Sequence, residues 1–231
     1  MTADDLPAAF ASVPSAWRDA LPRWTPAAER AVTERVQAAS GTRPIGPHDP
    51  FRSLRFVPPA GVRVVVFGQD PYPGEGVADG LAFSASVGRP PSLRRVFDVL
   101  EADCPGYRRP AVWTLDRWAR QGVLLLNPTL TIEIGVIGSH MNCGWQALTS
   151  DIVSVLCVLS APPTFLLWGR PAQAFFDAVA SKPAGIRALR TRHPSNDFRR
   201  EFMAEGSHFQ ATRELVDWWA VDAAAGQRDI V

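Results

Sequence analysis

Residues 62–83 read VRVVVFGQDPYPGEGVADGLAF and decide how the rest of the chain is interpreted. The stretch begins with a β-branched apolar run, stops at Gly68 and continues with Gln69, Asp70 and Tyr72. A short apolar run that is bounded by glycine is typical of a buried strand. We therefore interpret this stretch as a strand that delivers a carboxylate into a site.

The same pattern recurs along the chain. Strand-like runs occupy residues 62–67, 123–127, 164–169 and, more weakly, 186–193; helical periods cover 92–103, 115–121, 145–159, 172–180 and about 209–221. Near-continuous apolar strands that alternate with helices indicate a parallel sheet with both faces covered. The predicted fold class is α/β, with three α/β/α layers around a central four-stranded, mainly parallel sheet.

Length and composition favour one domain. The chain has 231 residues, of which 46% are hydrophobic and 20% charged, and this suits a single compact domain over 1–231. Residues 1–50 contain an amphipathic run over 28–39 and are interpreted as a helical N-terminal cover, while residues 62–220 form the α/β core that carries the motifs.

Charge and cysteine content narrow the class of protein further. The net charge is only +1, so a polyanionic partner would have to bind a local basic patch. The three cysteines lie far apart, which argues against a disulfide framework or a structural zinc site. The sequence shows no secretion signal and no membrane span, and we expect a cytoplasmic monomer that does not bind membranes.

Each predicted strand ends in distinctive residues. They are Asp70 and Tyr72 at the first strand, Asn127 at the second, Trp168 with Gly169 at the third and His193 at the fourth. Ligands of open α/β sheets bind outside the carboxyl ends of the strands, so these side chains are expected to meet in one crevice. Each residue alone has a simpler reading, as a turn former, a strand end or a surface histidine. No phosphate-binding glycine motif and no metal-ligand spacing is present.

Ordered sequence blocks carry a resemblance to a known family. They are GQDPY at 68–72, GLAFS at 80–84, PPSL at 90–93, LLLNPTLT at 124–131, SHMNCGW at 139–145, LLWG at 166–169, HPS at 193–195 and HF at 208–209. In this order and spacing the chain resembles the family 1 uracil-DNA glycosylases over residues 62–220. The resemblance implies hydrolysis of the N-glycosidic bond of uracil in DNA, with no metal or cofactor.

The resemblance also implies roles for the residues at the strand ends. Asp70 would orient the attacking water and stabilise the cationic sugar, and His193 would hydrogen-bond uracil O2 as a neutral imidazole, so its pKa is expected to be low. Four residues would bind the base: Asn127 reads its polar edge, Tyr72 blocks the C5 position, Phe83 stacks on the ring, and Gln69 contributes backbone.

For DNA binding the resemblance points to small residues, here Pro91, Ser92, Gly169 and Ser195. The chain departs from the family at three positions: Pro73 replaces a histidine, Arg170 replaces a serine, and Asp197 stands where the family has a leucine that enters the minor groove. We expect Arg170 to contact DNA, and Phe198, Arg199 or Arg200 to replace the missing leucine.

Partners and alternatives follow from the same departures. The expected partner is uracil-containing DNA. Whether the phage-type inhibitor protein that mimics DNA also binds is left open, because this inhibitor engages the loop that is altered here. Two other functions remain possible from sequence: a non-catalytic uracil-DNA binding protein, and a glycosylase that prefers single strands or other damaged pyrimidines. A generic α/β hydrolase is disfavoured because no serine nucleophile elbow is present.

Overall fold

A computed structural model describes residues 1–179, 183–195, 197 and 199–220 of the chain. Its six strands are β1 (Ile45–Gly46), β2 (Val64–Phe67), β3 (Val123–Leu126), β4 (Ile132–Glu133), β5 (Thr164–Trp168) and β6 (Ala188–Thr191). The central sheet has the order β3-β2-β5-β6 and all three pairings are parallel, while β1 and β4 form a separate antiparallel pair. The predicted four-stranded parallel sheet is confirmed.

Nine helices surround these strands in the described part of the chain. They are α1 (Leu6–Ala11), α2 (Ser15–Ala20), α3 (Pro26–Ala39), α4 (Arg52–Arg55), α5 (Pro91–Asp103), α6 (Asp116–Arg120), α7 (Trp145–Cys157), α8 (Arg170–Ala178) and α9 (His208–Ala211). Two 3-10 turns, Ala3–Asp5 and Pro59–Gly61, precede α1 and β2. No helix among the described residues is both long and apolar enough to span a bilayer.

The strands divide their side chains between two hydrophobic clusters, one on each face of the sheet. In β2, Val65 and Phe67 belong to a cluster with α1–α3, α7 and α8, whereas Val64 and Val66 belong to a cluster with α5, α6 and α9. Successive strand residues point to opposite faces, so this alternation places helices on both sides. The three-layer prediction is confirmed, and the continuous apolar run of β2 is explained by burial on both faces.

The predicted helix at 209–221 is wrong for most of its length. Helix α9 ends at Ala211, and Leu215 and Val216 donate backbone hydrogen bonds to the carbonyl of Thr212 in successive turns. These turns bury Trp218 completely, with its ring 4.9 Å from that of Trp118. Packing of a large aromatic side chain therefore overrides the local helical period.

Candidate functional site

The carboxyl ends of the parallel strands open onto one pocket of about 390 Å³. The six residues predicted to be catalytic or to bind the base all line it: Gln69, Asp70, Tyr72, Phe83, Asn127 and His193. Ser92 and Ser195 line the same pocket. Parallel strands that end at a common edge thus bring together residues that are up to 124 positions apart in sequence, as the topology predicts.

Asp70 lies three residues after the end of β2, is half-buried and lines this pocket. Burial raises the pKa of its carboxyl group, and a hydrogen bond donated by the backbone N–H of Gly138 to Oδ2 at 3.2 Å opposes this rise. Asp70 has no ion-pair partner within the described part of the chain. Its negative charge is therefore available to a ligand in the pocket.

His193 faces the pocket from the segment after β6. The backbone N–H of Ser195 donates to Nδ1 at 3.0 Å, and Ser195 Oγ lies 2.7 Å from the same nitrogen. Because a backbone N–H can only donate, Nδ1 must accept, and the proton of the neutral ring sits on Nε2. Burial lowers the pKa of His193, in the direction that the sequence predicts. The ring is thus a neutral Nε2–H donor.

Gly169 supports the histidine from the end of β5. It has a φ of +98°, and a Cβ added there would lie 2.8 Å from the Cβ of His193. Glycine is needed here both for the left-handed backbone and for the close approach of the two segments. The structure therefore places Gly169 directly against His193.

Asn127 follows β3, and its side chain packs against Gly68 at the end of β2. A Cβ added at Gly68 would lie only 2.1 Å from Asn127 Oδ1. The Asn127 amide has no hydrogen-bond partner among the described residues, so both its donor and its acceptor are free to bind a ligand. In the sequence analysis Gly68 marks only the end of the first strand. The glycine at this strand end is the sequence feature that could have indicated a close contact with a neighbouring residue.

Tyr72 and Phe83 form a connected wall of the pocket. The Tyr72 hydroxyl donates to the carbonyl oxygen of Phe83 at 3.1 Å and lies 2.8 Å from Ser92 Oγ. Burial raises the pKa of Tyr72, which keeps the hydroxyl protonated. Phe83 has a φ of +65°, a strained value for a bulky residue, and its ring lies 5.1 Å from Trp168 and 5.8 Å from His193. The surrounding contacts hold the ring in place.

A buried charge network that the sequence did not reveal anchors the segment before Phe83. Asp79 accepts from Ser84 Oγ at 2.6 Å and forms an ion pair with Arg52 at 3.1 Å. Ser84 Oγ in turn accepts from the backbone N–H of Leu115 at 3.0 Å. Burial raises the pKa of Asp79, with the Ser84 hydrogen bond opposing the rise. The network joins α4 and the segment before α6 to one wall of the pocket.

A second, wider groove of about 940 Å³ adjoins the pocket and shares His193 and Ser195 with it. Gly169, Arg170 and Arg199, three of the residues that the sequence analysis expects to contact DNA, line this groove. Pro91, at the start of α5, and Arg200 are exposed but line neither cavity, and Phe198 lies outside the described residues. Ser92 is buried and its hydroxyl is engaged by Tyr72.

The arginines of this region divide into paired and unpaired groups. Arg190 is paired with Asp177 at 2.6 Å and Arg192 with Glu201 at 2.8 Å. By contrast Arg170, Arg199 and Arg200 are exposed and have no ion-pair partner in the described ranges. The three unpaired guanidinium groups are the positive charges that remain available for phosphate.

Asp197, which stands where the family has its minor-groove leucine, points into the protein. Its side chain is 4% exposed, pairs with Arg95 Nε at 2.7 Å and accepts the backbone N–H groups of Glu201 and Phe202. Burial alone would raise the pKa of Asp197, but these hydrogen bonds outweigh it and the pKa lies below its ordinary value. The carboxylate is therefore a loop anchor and meets no phosphate.

The remaining histidines of the family blocks are structural. His140 is fully buried between Thr131 and Ser40, and His208 accepts a hydrogen bond from the indole N–H of Trp168 at 3.2 Å. In the described ranges, no group of three or more His, Cys, Asp or Glu side chains is arranged to hold a metal ion.

Comparisons with known proteins show the family of this chain. The family model described as the uracil DNA glycosylase superfamily matches residues 54–217. A uracil-DNA glycosylase of Bordetella petrii is 42% identical over 196 residues, covering 82% of this chain and 76% of the relative, and one of Salmonella agona is 40% identical, covering 73% and 74%. A solved mimivirus uracil-DNA glycosylase is similar in fold, with a TM-score of 0.71 at 22% identity over 84% of this chain and 75% of that one.

Proposed function

Because this chain belongs to the uracil-DNA glycosylase superfamily, we propose that it hydrolyses the N-glycosidic bond of uracil in DNA. The products are free uracil and an abasic site, which places the reaction in base-excision repair. The observation that carries the proposal is the convergence of Asp70, Asn127 and His193 on one pocket at the strand ends.

Asp70 acts on the sugar side of the reaction. Bond cleavage leaves positive charge on the deoxyribose, and a carboxylate facing that charge lowers the barrier. The same oxygens accept a hydrogen bond from the attacking water and orient this water toward the sugar carbon. Since Asp70 has no cationic partner among the described residues, its charge is not already neutralised by the protein.

His193 acts on the base side. As the bond breaks, negative charge builds on the departing uracil, and the Nε2–H of the neutral ring donates to O2. The Ser195 N–H holds the ring in this tautomer by bonding to Nδ1, and burial keeps the ring neutral. An imidazole of fixed tautomer and orientation supplies the donor without a change of protonation.

Asn127 provides base specificity. Its amide donates to uracil O4 and accepts from N3–H, and both contacts reverse for cytosine, which has a donor at N4 and an acceptor at N3. Mismatched buried polar groups give strong discrimination between otherwise similar ligands. Tyr72 occupies the space that a thymine methyl group would need, and Phe83 stacks on the extruded ring.

DNA is held around the pocket by the adjoining groove and by exposed residues outside it. Arg170, Arg199 and Arg200 bind phosphates, while Pro91, Gly169 and Ser195 allow close approach of the backbone. The target nucleotide must leave the duplex to reach the pocket, so a weakly paired uracil opposite guanine is released faster than one opposite adenine.

We also infer a single domain spanning the chain, acting as a monomer in the cytoplasm. Binding of a DNA-mimicking inhibitor is part of the same proposal, because a related mimivirus UNG variant has been solved in complex with UGI, with a TM-score of 0.68 at 24% identity over 79% of this chain and 70% of that one. The inward turn of Asp197 changes the loop that such an inhibitor would meet. We expect weaker binding than in relatives with a leucine at that position.

One experiment separates this function from its alternatives. The wild-type protein and Asp70→Asn are incubated with single-stranded and duplex oligonucleotides containing one uracil, and free uracil and alkali-labile sites are measured. We expect release by the wild type and a loss of at least a hundredfold in the variant. Tight binding without release would indicate a non-catalytic uracil-DNA binding protein. Release from single strands alone would indicate a shifted substrate preference.

A further inference from the structure

Large apolar side chains are unusually concentrated on one surface turn, residues 134–141, which we call the apolar turn. Of the six large hydrophobic residues that are exposed in the described part of the chain, three lie here: Val136, Ile137 and Met141. Ile137 is the most exposed of all six, at 77%. Isolated exposed apolar residues are common on protein surfaces, but a local cluster marks a binding surface.

The apolar turn is fixed to the segment that carries the carboxylate. The backbone N–H of Gly135 donates to the carbonyl of Pro73 at 2.8 Å, and that of Gly138 donates to Asp70 Oδ2 at 3.2 Å. Both glycines have positive φ, which allows the tight reversal that presents Ile137 between them. These hydrogen bonds tie the backbone that carries Ile137 to the segment of Asp70.

Ile137 also lines the pocket together with Asp70 and His193. When uracil occupies the pocket, the deoxyribose must lie at the mouth, because Asp70 faces the sugar and His193 faces the base. An exposed apolar residue that is tied to Asp70 and lies at this mouth is therefore opposite the sugar. The residues of the apolar turn, IGVIGSHM, include no exposed charged side chain that could bind a phosphate, since His140 is buried.

We propose that Ile137 is a substrate-binding residue that packs against the apolar face of the deoxyribose of the extruded nucleotide. The inference rests on the proposed function and adds a contact that the sequence blocks do not assign. Covering the sugar removes water from the side of Asp70 that faces the turn, which strengthens the interaction between the carboxylate and the sugar cation.

The test uses Ile137→Ser, with Val158→Ser as the matched control. Val158 is also strongly exposed, at 66%, but it follows α7 at the edge of the sheet where the strands begin, opposite the site. Three ligands are compared: free uracil, an oligonucleotide with a tetrahydrofuran abasic-site analogue, and the uracil-containing oligonucleotide, each DNA in single-stranded and duplex form.

We expect Ile137→Ser to weaken binding of the abasic-site analogue and to lower kcat/KM for uracil release, each by about tenfold, in single strands and duplexes alike. Partial burial of an isoleucine side chain supports an effect of this size. Free uracil, which lacks the sugar, should bind within about twofold of wild type, whereas a general disruption of the pocket would weaken it as well. Val158→Ser should match wild type throughout.

Three outcomes would overturn the proposal while leaving the glycosylase function intact. Unchanged binding of the abasic-site analogue would mean that the apolar turn serves another partner. A loss confined to duplexes would make Ile137 a wedge between bases, and a parallel loss of free-uracil binding would make its role structural. Failure of the proposed function itself is distinguishable, because the wild-type protein would then release no uracil from any of these oligonucleotides.

Discussion

Replacing Gly68 by alanine tests the central claim that Asn127 reads the base from a position set by the end of β2. The added Cβ would lie 2.1 Å from Asn127 Oδ1, whereas ordinary contact begins at 3.4 Å. Because Gly68 does not have a positive φ, alanine is compatible with its backbone and the strain falls on the amide. The substitution therefore moves Asn127 without deleting it.

The size of the effect follows from this geometry. The Asn127 amide must move by about 1 Å or more, which exceeds the range of distances over which a hydrogen bond persists. Two hydrogen bonds to uracil are then lost, at about 0.5 to 1.5 kcal/mol each. We expect kcat/KM for uracil release to fall by roughly ten- to a hundredfold, with weaker binding of free uracil.

The assay compares release of uracil and of cytosine from matched oligonucleotides, because a displaced amide also loses its preference between the two bases. Gly61→Ala is the control: its Cβ would lie 2.8 Å from a Val57 methyl group, at the start of β2 and away from the pocket. This control should lower stability without changing base preference. Wild-type rate and preference in Gly68→Ala would refute the argument that Gly68 positions Asn127.

Three further predictions concern stability and DNA binding. Burial lowers the pKa of His208 to about 4, so this histidine stays neutral in the folded state while the unfolded chain takes up a proton; in urea unfolding, the contribution of His208 to stability should therefore fall by about 3 kcal/mol as pH drops from 6.5 to 4. Asp197→Ala, which leaves Arg95 without its partner, should reduce the free energy of unfolding by about 3 kcal/mol. Arg170→Gln and Arg199→Gln should each lower the slope of log binding constant against log salt by about one for duplex DNA.

Matched variants make these expectations testable. Glu214→Ala breaks a pair with Arg187 in which both side chains are about half exposed, and it should change stability by less than about 1 kcal/mol. Arg190→Gln removes a groove arginine that Asp177 already neutralises, so its salt slope should remain near wild type. Equal effects in a variant and its control, or pH-independent stability between pH 6.5 and 4, would contradict the corresponding reasoning.

The strands, and the meeting of the residues at their ends in one pocket, could be predicted from sequence because both depend on local patterns. The run at β2 is apolar at every position, and Asp70, Asn127 and His193 each follow a strand by a few residues. Once the strands are parallel, their ends share an edge whatever the details of packing. The pocket is thus a consequence of topology and could be derived before any contact was known.

Contacts between distant segments could not be predicted from local sequence patterns. The ion pairs of Asp79 with Arg52 and of Asp197 with Arg95 join residues 27 and 102 positions apart, and no periodicity marks such partners. The predicted C-terminal helix is wrong for a similar reason, because packing of Trp218 on Trp118 interrupts the helical pattern. In each case the deciding energy comes from a partner that the local sequence does not contain.

The altered loop is physically separated from the chemistry that it flanks. His193 takes its orientation from Ser195, two residues away, and from the close approach of Gly169. Asp197, by contrast, is tied to α5 through Arg95 and to the turn that follows it. Because these two sets of contacts share no residue, an aspartate can stand in the position of the family's leucine without moving the imidazole. Substitutions of Asp197 should therefore affect binding of duplex DNA more than the rate at which the bond to uracil is broken.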